Sequence, residues 1–180
     1  MLEKLRDKPE IRIEMVCLGN ICRSPMAAAV LHNKVAELSS PKVIVTSSGT
    51  SNYHIGEGAH KSSIRTWETA GYSYSHTAKQ FSKSSFIEQD LILCMDTSNR
   101  AMVLTAAENE EQRAKVFLLR QFDPELREID PTSRDAEKLI VPDPWGQGMD
   151  AFDEVLGLIE RATNGMLKED RKSTRLNSSH

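Results

Sequence analysis

The order of strand-like and helix-like segments near the start of the chain constrains the fold most. Residues 11–16, IRIEMV, alternate apolar and polar side chains, which is typical of a strand, and residues 42–46, KVIVT, favour a second strand. Between them, Ser24 and Pro25 indicate a helix start, with Ser at the N-cap and Pro at the first helical position. Strands that alternate with helices predict a parallel sheet.

The same alternation continues along the chain. Two more strands are predicted, over 90–95 and 115–119, and residues 120–148 form a Pro- and Asp-rich loop. Further helices are predicted over 58–70, from Thr97 or Ser98, and over 150–166. We therefore expect the α/β class, with a four-stranded parallel sheet and helices on both faces. Ligands in such folds bind outside the carboxyl ends of the strands, so one rim is expected to hold the loops 17–24, 47–53 and 96–98.

The length of 180 residues suits a single hydrophobic core, and we assign residues 1–167 to one domain. Residues 168–180 show no apolar periodicity, so we expect them to be a disordered or non-native tail. The formal net charge of −3 argues against binding to nucleic acid or to an anionic membrane surface, and no apolar run is long enough to span a bilayer. The charged N-terminal segment predicts a cytoplasmic location.

The loop from Cys17 to Ser24, CLGNICRS, carries the chemistry that the sequence predicts. It joins the end of a strand to the start of a helix, where free backbone N–H groups and the helix dipole favour an anion and a cysteine thiolate. Arg23 adds a planar fork of donors that fits two oxygens of a phosphate. Gly19 and Asn20 tolerate the left-handed backbone that a tight loop needs. Ser24 either caps the helix or donates its hydroxyl to the thiolate.

Three separated motifs carry a resemblance to a known family. They are CLGNICRSPMA over 17–27, SHTAKQF over 75–81 and DPW over 143–145. Together they resemble the low-molecular-weight protein tyrosine phosphatases, over about residues 11–167. The resemblance implies hydrolysis through a phosphocysteine, with Cys17 as the nucleophile. It implies that Arg23 binds the phosphoryl oxygens and that the loop residues complete the phosphate cradle, namely Leu18, Gly19, Asn20, Ile21, Cys22, Arg23 and Ser24.

Such a reaction needs a general acid to protonate the tyrosyl oxygen as it leaves. Three Asp-Pro pairs compete for this role, at Asp123, Asp130 and Asp143. We interpret Asp123 and Asp130 as turn formers. Asp143 directly precedes the final helix, Trp145 offers it an apolar wall, and it matches the acid position of the family. No metal and no other cofactor is expected, because the His residues are scattered and no carboxylate cluster has ligand spacing.

The resemblance assigns further residues around the loop. Ser47, His76 and Asp96 match positions that support the loop and the site, although a turn residue, a surface His and a helix-dipole partner are the structural alternatives. Cys22 is either a small filler or a redox guard that forms a reversible disulfide with Cys17. The residues that match the walls of the substrate mouth are Ile21, Tyr53 and Trp145.

Aromatic walls favour phosphotyrosine over phosphoserine, and we expect phosphotyrosine-bearing proteins as partners of a mostly monomeric enzyme. A sister group of the family hydrolyses phosphoarginine and carries Thr where Ile21 stands, so Ile21 favours tyrosine. A thioredoxin-coupled arsenate reductase would need a further cysteine relay, for which only Cys94 is present. A phospho-carrier would need neither Arg23 nor Asp143, so the presence of both residues argues against that function. A phosphotyrosine-binding module without activity would have lost the nucleophile or the acid, and both are present.

Overall fold

The computed structural model of the protein describes Leu5 and residues 7–178, with side chains through Lys168. Within this part of the chain, four strands form one sheet: β1 (Glu10–Cys17), β2 (Lys42–Gly49), β3 (Leu91–Cys94) and β4 (Val116–Leu118). All pairs are parallel, and the order across the sheet is β2-β1-β3-β4. The predicted four-stranded parallel sheet is confirmed, and each strand overlaps its predicted range.

Helices cover both faces of the sheet, as predicted. The described helices are α1 (Arg23–Val35), α2 (Lys61–Thr69), α3 (Ser85–Glu88), α4 (Thr97–Ala106), α5 (Glu110–Arg113) and α6 (Met149–Ser178). On one face α1, α2 and α6 pack together, and on the other α4 packs on β3 and β4. The long loop before α6 contains three short 3₁₀ turns, at Leu119–Phe122, Pro124–Leu126 and Arg134–Leu139.

Alternation along β1 divides the core into two layers. Ile13, Met15 and Cys17 point into the larger core, which includes Phe152 of α6, whereas Val16 points into the smaller core under α4. Met15 and Phe152 are fully buried, and burial of such a side chain contributes about 1.5–3 kcal/mol. The carboxyl end of β1 is thereby fixed from both faces, and the residue at that end is Cys17.

Two helix ends differ from the prediction. α1 begins at Arg23 with Cys22 at its N-cap, so Ser24 is not the cap; its hydroxyl faces Cys17 instead. α6 continues as a backbone helix to Ser178, whereas the sequence predicts a helix end near residue 166. After Gly165 no glycine or proline interrupts the sequence, so nothing in the backbone stops the helix. Residues 179 and 180 lie outside the described residues.

None of the helices in the described ranges combines the length and the apolar character needed to cross a membrane.

Candidate active site

The loop between β1 and α1 is held from outside by its carbonyl groups. Five of these carbonyls accept hydrogen bonds of 2.6–3.1 Å from the two residues after β2, from the residue before α2 and the first turn of α2, and from the segment 76–80. Because the C=O and N–H of a peptide unit point in opposite directions, this arrangement turns the loop amides inward, where they can bind an anion. The carbonyls of Cys17, Leu18, Asn20, Ile21 and Cys22 accept, in that order, from Thr50 N, Ser51 N, His76 Nε2, His60 N and Ser63 Oγ.

Asn20 is the most heavily bonded residue of the loop. Its backbone has a φ of 57°, in the left-handed region, as the sequence predicts. Its buried side chain donates from Nδ2 to Ser24 Oγ at 2.8 Å and to Ser47 Oγ at 2.9 Å, and its Oδ1 accepts from Lys79 N at 3.0 Å. His76 donates from Nε2 to the Asn20 carbonyl. The structure thus brings Ser47 and His76 onto Asn20, where the resemblance implies them.

Cys17 lies at the base of the loop. Its Sγ is 3.0 Å from Ser24 Oγ and accepts from the Asn20 amide at 3.3 Å. Ser24 Oγ accepts from Asn20 Nδ2, and its own proton can point to the sulfur or to the Ser48 carbonyl oxygen, 3.3 Å away. The Asn20 amide donates to Sγ, and the Ser24 hydroxyl does so in the first of its two orientations; both donors stabilise a thiolate.

Arg23 projects from the first turn of α1, and its side chain is only 4% exposed. Its Nη1 donates to Asp96 Oδ2 at 2.6 Å and to the Val141 carbonyl at 2.9 Å, while Nη2 is 3.7 Å from Asp143 Oδ2. Burial alone would lower the pKa of the Arg23 guanidinium, but the charges of Cys17, Asp96 and Asp143 raise it above its ordinary value. Arg23 is thus a fixed cation at the mouth of the loop.

Asp96 serves both of its predicted alternatives. It is the N-cap of α4, where its Oδ1 accepts from the Asn99 amide at 2.8 Å, and its Oδ2 accepts from Arg23.

The three Asp-Pro pairs differ in their position relative to the cavity. All three carboxylates accept from an amide two residues ahead, as turn formers do, but of the three only Asp143 lines the cavity over Cys17.

The cavity over Cys17 has a volume of about 230 Å³. Tyr53 and Trp145 stand at its edge with 72% and 64% of their surfaces exposed, and Ile21 lines it from the loop. His54 also lines it, although no motif in the sequence pointed to this residue. The His54 ring pairs through Nδ1 with Glu57 and rests against Gly19, where an added Cβ would meet Cδ2 at 3.0 Å.

Gly49, the last residue of β2, packs against the loop without any side chain between them. A Cβ at this position would lie 2.6 Å from the Leu18 carbonyl oxygen and 3.0 Å from the Asn20 amide nitrogen. Real Cβ contacts are not that short, so only glycine fits. This close approach allows the amides of Thr50 and Ser51 to reach the loop carbonyls.

The other two cysteines are buried free thiols. Burial, together with the charges of Asp143 and Cys17, raises the pKa of Cys22 to about 12, so it is a neutral thiol beside the loop. Burial also raises the pKa of Cys94, which lies inside β3 away from the cavity. Across the ranges that the structure describes, no group of three or more His, Cys, Asp or Glu side chains is placed to hold a metal ion.

A cysteine sulfur under inward amides, at the carboxyl end of a parallel sheet and beside a buried arginine, is an arrangement that suits an oxyanion and a thiolate. A family model described as low molecular weight phosphotyrosine protein phosphatase matches residues 12–176. The low-molecular-weight protein-tyrosine-phosphatase of Streptomyces coelicolor is 37% identical over 162 residues, which cover 89% of this chain and 94% of that protein. The chain belongs to the low-molecular-weight phosphotyrosine protein phosphatase family, and its relatives are phosphatase enzymes.

Solved structures agree with this assignment. A protein tyrosine phosphatase of Entamoeba histolytica superposes with a TM-score of 0.77 at 28% identity, covering 91% of this chain and 99% of that one. A Drosophila arginine phosphatase superposes with a TM-score of 0.76 at 25% identity, covering 88% and 97%. The fold is therefore shared by enzymes whose names differ in the phosphorylated residue.

Proposed function

We propose that this chain is a cytoplasmic, mostly monomeric enzyme that hydrolyses phosphotyrosine in proteins, and small aryl phosphates, through a phosphocysteine at Cys17. The observation that carries this proposal is the position of Cys17 Sγ. It lies under the loop, whose hydrogen-bonded carbonyls point away from the cavity. Above it, at the mouth of the cavity, Arg23 Nη2 and Asp143 Oδ2 are 3.7 Å apart. Free buried thiols suit a reducing compartment.

In the first step, the Cys17 thiolate attacks phosphorus and forms an S–P bond while the P–O bond to the tyrosyl oxygen breaks. The inward amides of Leu18, Gly19, Ile21 and Cys22 hold the equatorial oxygens, together with the Arg23 fork. These groups are fixed before the substrate arrives, so they stabilise the charge of the transition state without reorganising. Asp143, protonated at this stage, gives its proton to the leaving phenolic oxygen.

In the second step, water attacks phosphorus and the S–P bond breaks. Asp143, now a carboxylate, takes the proton from the attacking water, and inorganic phosphate leaves with the thiolate restored. The Asn20 amide, which donates to Sγ, and the Ser24 hydroxyl, 3.0 Å from it, stabilise that thiolate at each return. Asp96 and the Val141 carbonyl keep Arg23 oriented throughout.

We propose Cys22 as the redox guard of this site. If oxidant converts Cys17 to a sulfenic acid, the Cys22 sulfur can attack it, releasing water and forming a disulfide that a thiol later reduces. The raised pKa of Cys22 keeps it a neutral thiol that does not compete with Cys17 for phosphate.

Phosphoarginine is the second candidate substrate, because a Drosophila arginine phosphatase shares the fold. Ile21 favours tyrosine, since it lines the cavity with an apolar side chain where the sister group carries Thr. Tyr53 and Trp145 supply faces on which a phenyl ring stacks. Arsenate reduction coupled to thioredoxin is disfavoured, because Cys94 is fully buried in β3 and does not line the cavity.

The test is one assay panel on the wild type, Cys17→Ser and the control variant Cys94→Ala. The panel measures a phosphotyrosyl peptide, phosphoarginine and thioredoxin-coupled arsenate reduction under the same conditions. We expect the peptide to be hydrolysed best, Cys17→Ser to lose at least about a thousandfold in kcat, and Cys94→Ala to stay active. Full activity in Cys17→Ser would falsify the phosphocysteine mechanism, and faster turnover of phosphoarginine would show that Ile21 was misread.

A further inference from the structure

Glu14 is a buried carboxyl group on the face of the sheet opposite the nucleophile. It lies in β1, three residues before Cys17, and its side chain is 1% exposed. Alternation along the strand places Cys17 toward α1 and Glu14 toward α3. The reaction described above does not use this residue.

The two carboxylate oxygens of Glu14 differ in their contacts. Its Oε1 accepts from Ser85 Oγ at 3.1 Å and lies 3.8 Å from Lys79 Nζ, whereas its Oε2 is buried and has no hydrogen-bond partner within the described part of the chain. Burial raises the pKa of Glu14, and Glu88 adds to this; Ser85, Lys79 and Ser48 oppose it. A buried carboxyl with one bare oxygen costs stability, so an apolar residue would serve a purely structural role better.

Lys79 connects this carboxyl to the loop. Its amide donates to Asn20 Oδ1 at 3.0 Å, and its carbonyl accepts from the Gly49 amide at 2.9 Å. The Lys79 backbone therefore connects the end of β2 to Asn20, whose side chain also bonds Ser24 and Ser47. The side chain of Lys79 is 54% exposed, and its Nζ pairs with the Glu14 carboxylate. The Lys79 amide is thus one of the three partners that hold the Asn20 side chain, with the hydroxyls of Ser24 and Ser47.

We propose that Glu14 is a positioning residue for the phosphate-binding loop, which it supports through Lys79 and Asn20 from the far side of the sheet. This proposal rests on the proposed function, because the loop matters only if it binds the phosphoryl group. A charge at Glu14 attracts Lys79 Nζ and draws the segment 76–80 against the sheet. The Asn20 side chain is thereby kept in place between the loop and β2.

The test compares Glu14→Leu, Lys79→Met and the double variant with a matched control, Lys83→Met. Lys83 forms an exposed pair with Glu108 at 3.5 Å, so it reports what the loss of a surface lysine does by itself. The readouts are the dissociation constant for inorganic phosphate, kcat and KM separately, and Tm. Lys79→Met changes only an exposed side chain and keeps the backbone donor, so it does not depend on folding with a new buried residue.

We expect Glu14→Leu and Lys79→Met each to weaken phosphate binding about fivefold, and the double variant to be no weaker than either, because both act on one connection. Glu14→Leu is expected to keep or raise Tm, since it removes the unpaired oxygen. Lys83→Met is expected to match the wild type. Rescue by Glu14→Asp of part of the lost affinity would support a role of the charge.

Three results would overturn the proposal: unchanged phosphate affinity in both single variants, additive losses in the double variant, or losses that only follow a fall in Tm. The two proposals fail separately. Retained hydrolysis by Cys17→Ser removes the proposed function, whereas unchanged phosphate binding by Glu14→Leu and Lys79→Met removes the role of Glu14 and leaves the mechanism intact.

Discussion

The two sides of the cavity are built in different ways. The loop over 18–22 is bonded to three separate segments of the fold, and Asn20 and Arg23 within and beside it are almost fully buried. The opposite side carries Asp143, whose side chain is 46% exposed, and Trp145, which is 64% exposed. Asp143 accepts local hydrogen bonds, from Trp145 N to Oδ1 at 3.1 Å and from Gln147 Nε2 to the backbone carbonyl at 3.1 Å.

This difference matches the two tasks of the proposed reaction. Stabilisation of a developing charge needs donors that are already in place, and the loop provides them. Protonation of a leaving group needs an acid that meets substrates of many shapes, and an exposed side chain is free to do so. We therefore expect substitutions in the loop to affect both stability and catalysis, and substitutions beside Asp143 to affect catalysis alone.

The largest effect is expected from Arg23→Lys. Lysine cannot bond Asp96 and the Val141 carbonyl and still present two donors to a phosphoryl group, so kcat/KM is expected to fall about a thousandfold. Steady-state kinetics with an aryl phosphate measures the loss, and thermal unfolding measures stability. Activity within tenfold of the wild type would show that a point charge is sufficient and would weaken the contrast between the two sides.

Asp143→Asn tests the exposed side. The loss in kcat is expected to reach about a hundredfold for phenyl phosphate and to be much smaller for p-nitrophenyl phosphate, whose leaving group hardly needs a proton. Tm is expected to stay unchanged. Asp130→Asn is the matched control, since Asp130 also precedes a proline and is exposed. Equal losses for both leaving groups would contradict the role of Asp143 as the acid.

Asn20→Ala addresses the buried side without touching a reacting group. The change removes three side-chain hydrogen bonds and places alanine at a φ of 57°. At about 1 kcal/mol for each bond, the free energy of unfolding is expected to fall by about 3 kcal/mol, and kcat/KM by about tenfold. Denaturant unfolding and kinetics measure the two losses. A variant with wild-type stability would show that the loop does not depend on this residue.

The smallest effect is expected from His76→Gln, read as a dependence on pH. Burial lowers the pKa of His76 below its ordinary value of 6.5, although the hydrogen bond to the Asn20 carbonyl opposes this. A lowered pKa means that the folded state binds fewer protons, so this stability is present above pH 6.5 and is lost as the pH falls through the folded pKa. Gln can still donate to Asn20 but does not titrate. Between pH 7.5 and 5.5, the Tm of the wild type is expected to fall further than the Tm of His76→Gln. Equal decreases in Tm would contradict the contribution of His76.

The rim of the site could be located from the sequence, because the carboxyl ends of parallel strands lie at one edge of the sheet. Once four strands are parallel, their carboxyl ends meet, so Cys17, Ser47 and Asp96 must lie close together. The cradle itself was predictable for the same reason, since it joins the first strand to the first helix. The lengths of the strands were less accurate: β2 runs three residues beyond its predicted end, and the extra pairs bring Gly49 level with Cys17.

Other features could not be derived from the sequence. The alternation in IRIEMV is typical of a strand with one exposed face, yet Glu14 is buried, because α3 covers the second face with a helix of only four residues. His54 and Lys79 lie in segments without periodicity, and their positions depend on bonds to distant residues. The helix beyond residue 166 was missed because only apolar periodicity was counted and not the absence of a helix breaker.

The contact between Gly49 and the loop affects how anions bind to the enzyme. The main chain at Gly49 and the main chain of the loop are in direct contact there, with no side chain between them. No side chain at this contact therefore has to be immobilised when an anion binds. Ligand binding then carries little cost in conformational entropy, and small oxyanions gain most from this because they have few other contacts. We expect vanadate and phosphate to bind in a single kinetic phase, at a rate set by diffusion and desolvation and not by closure of the loop.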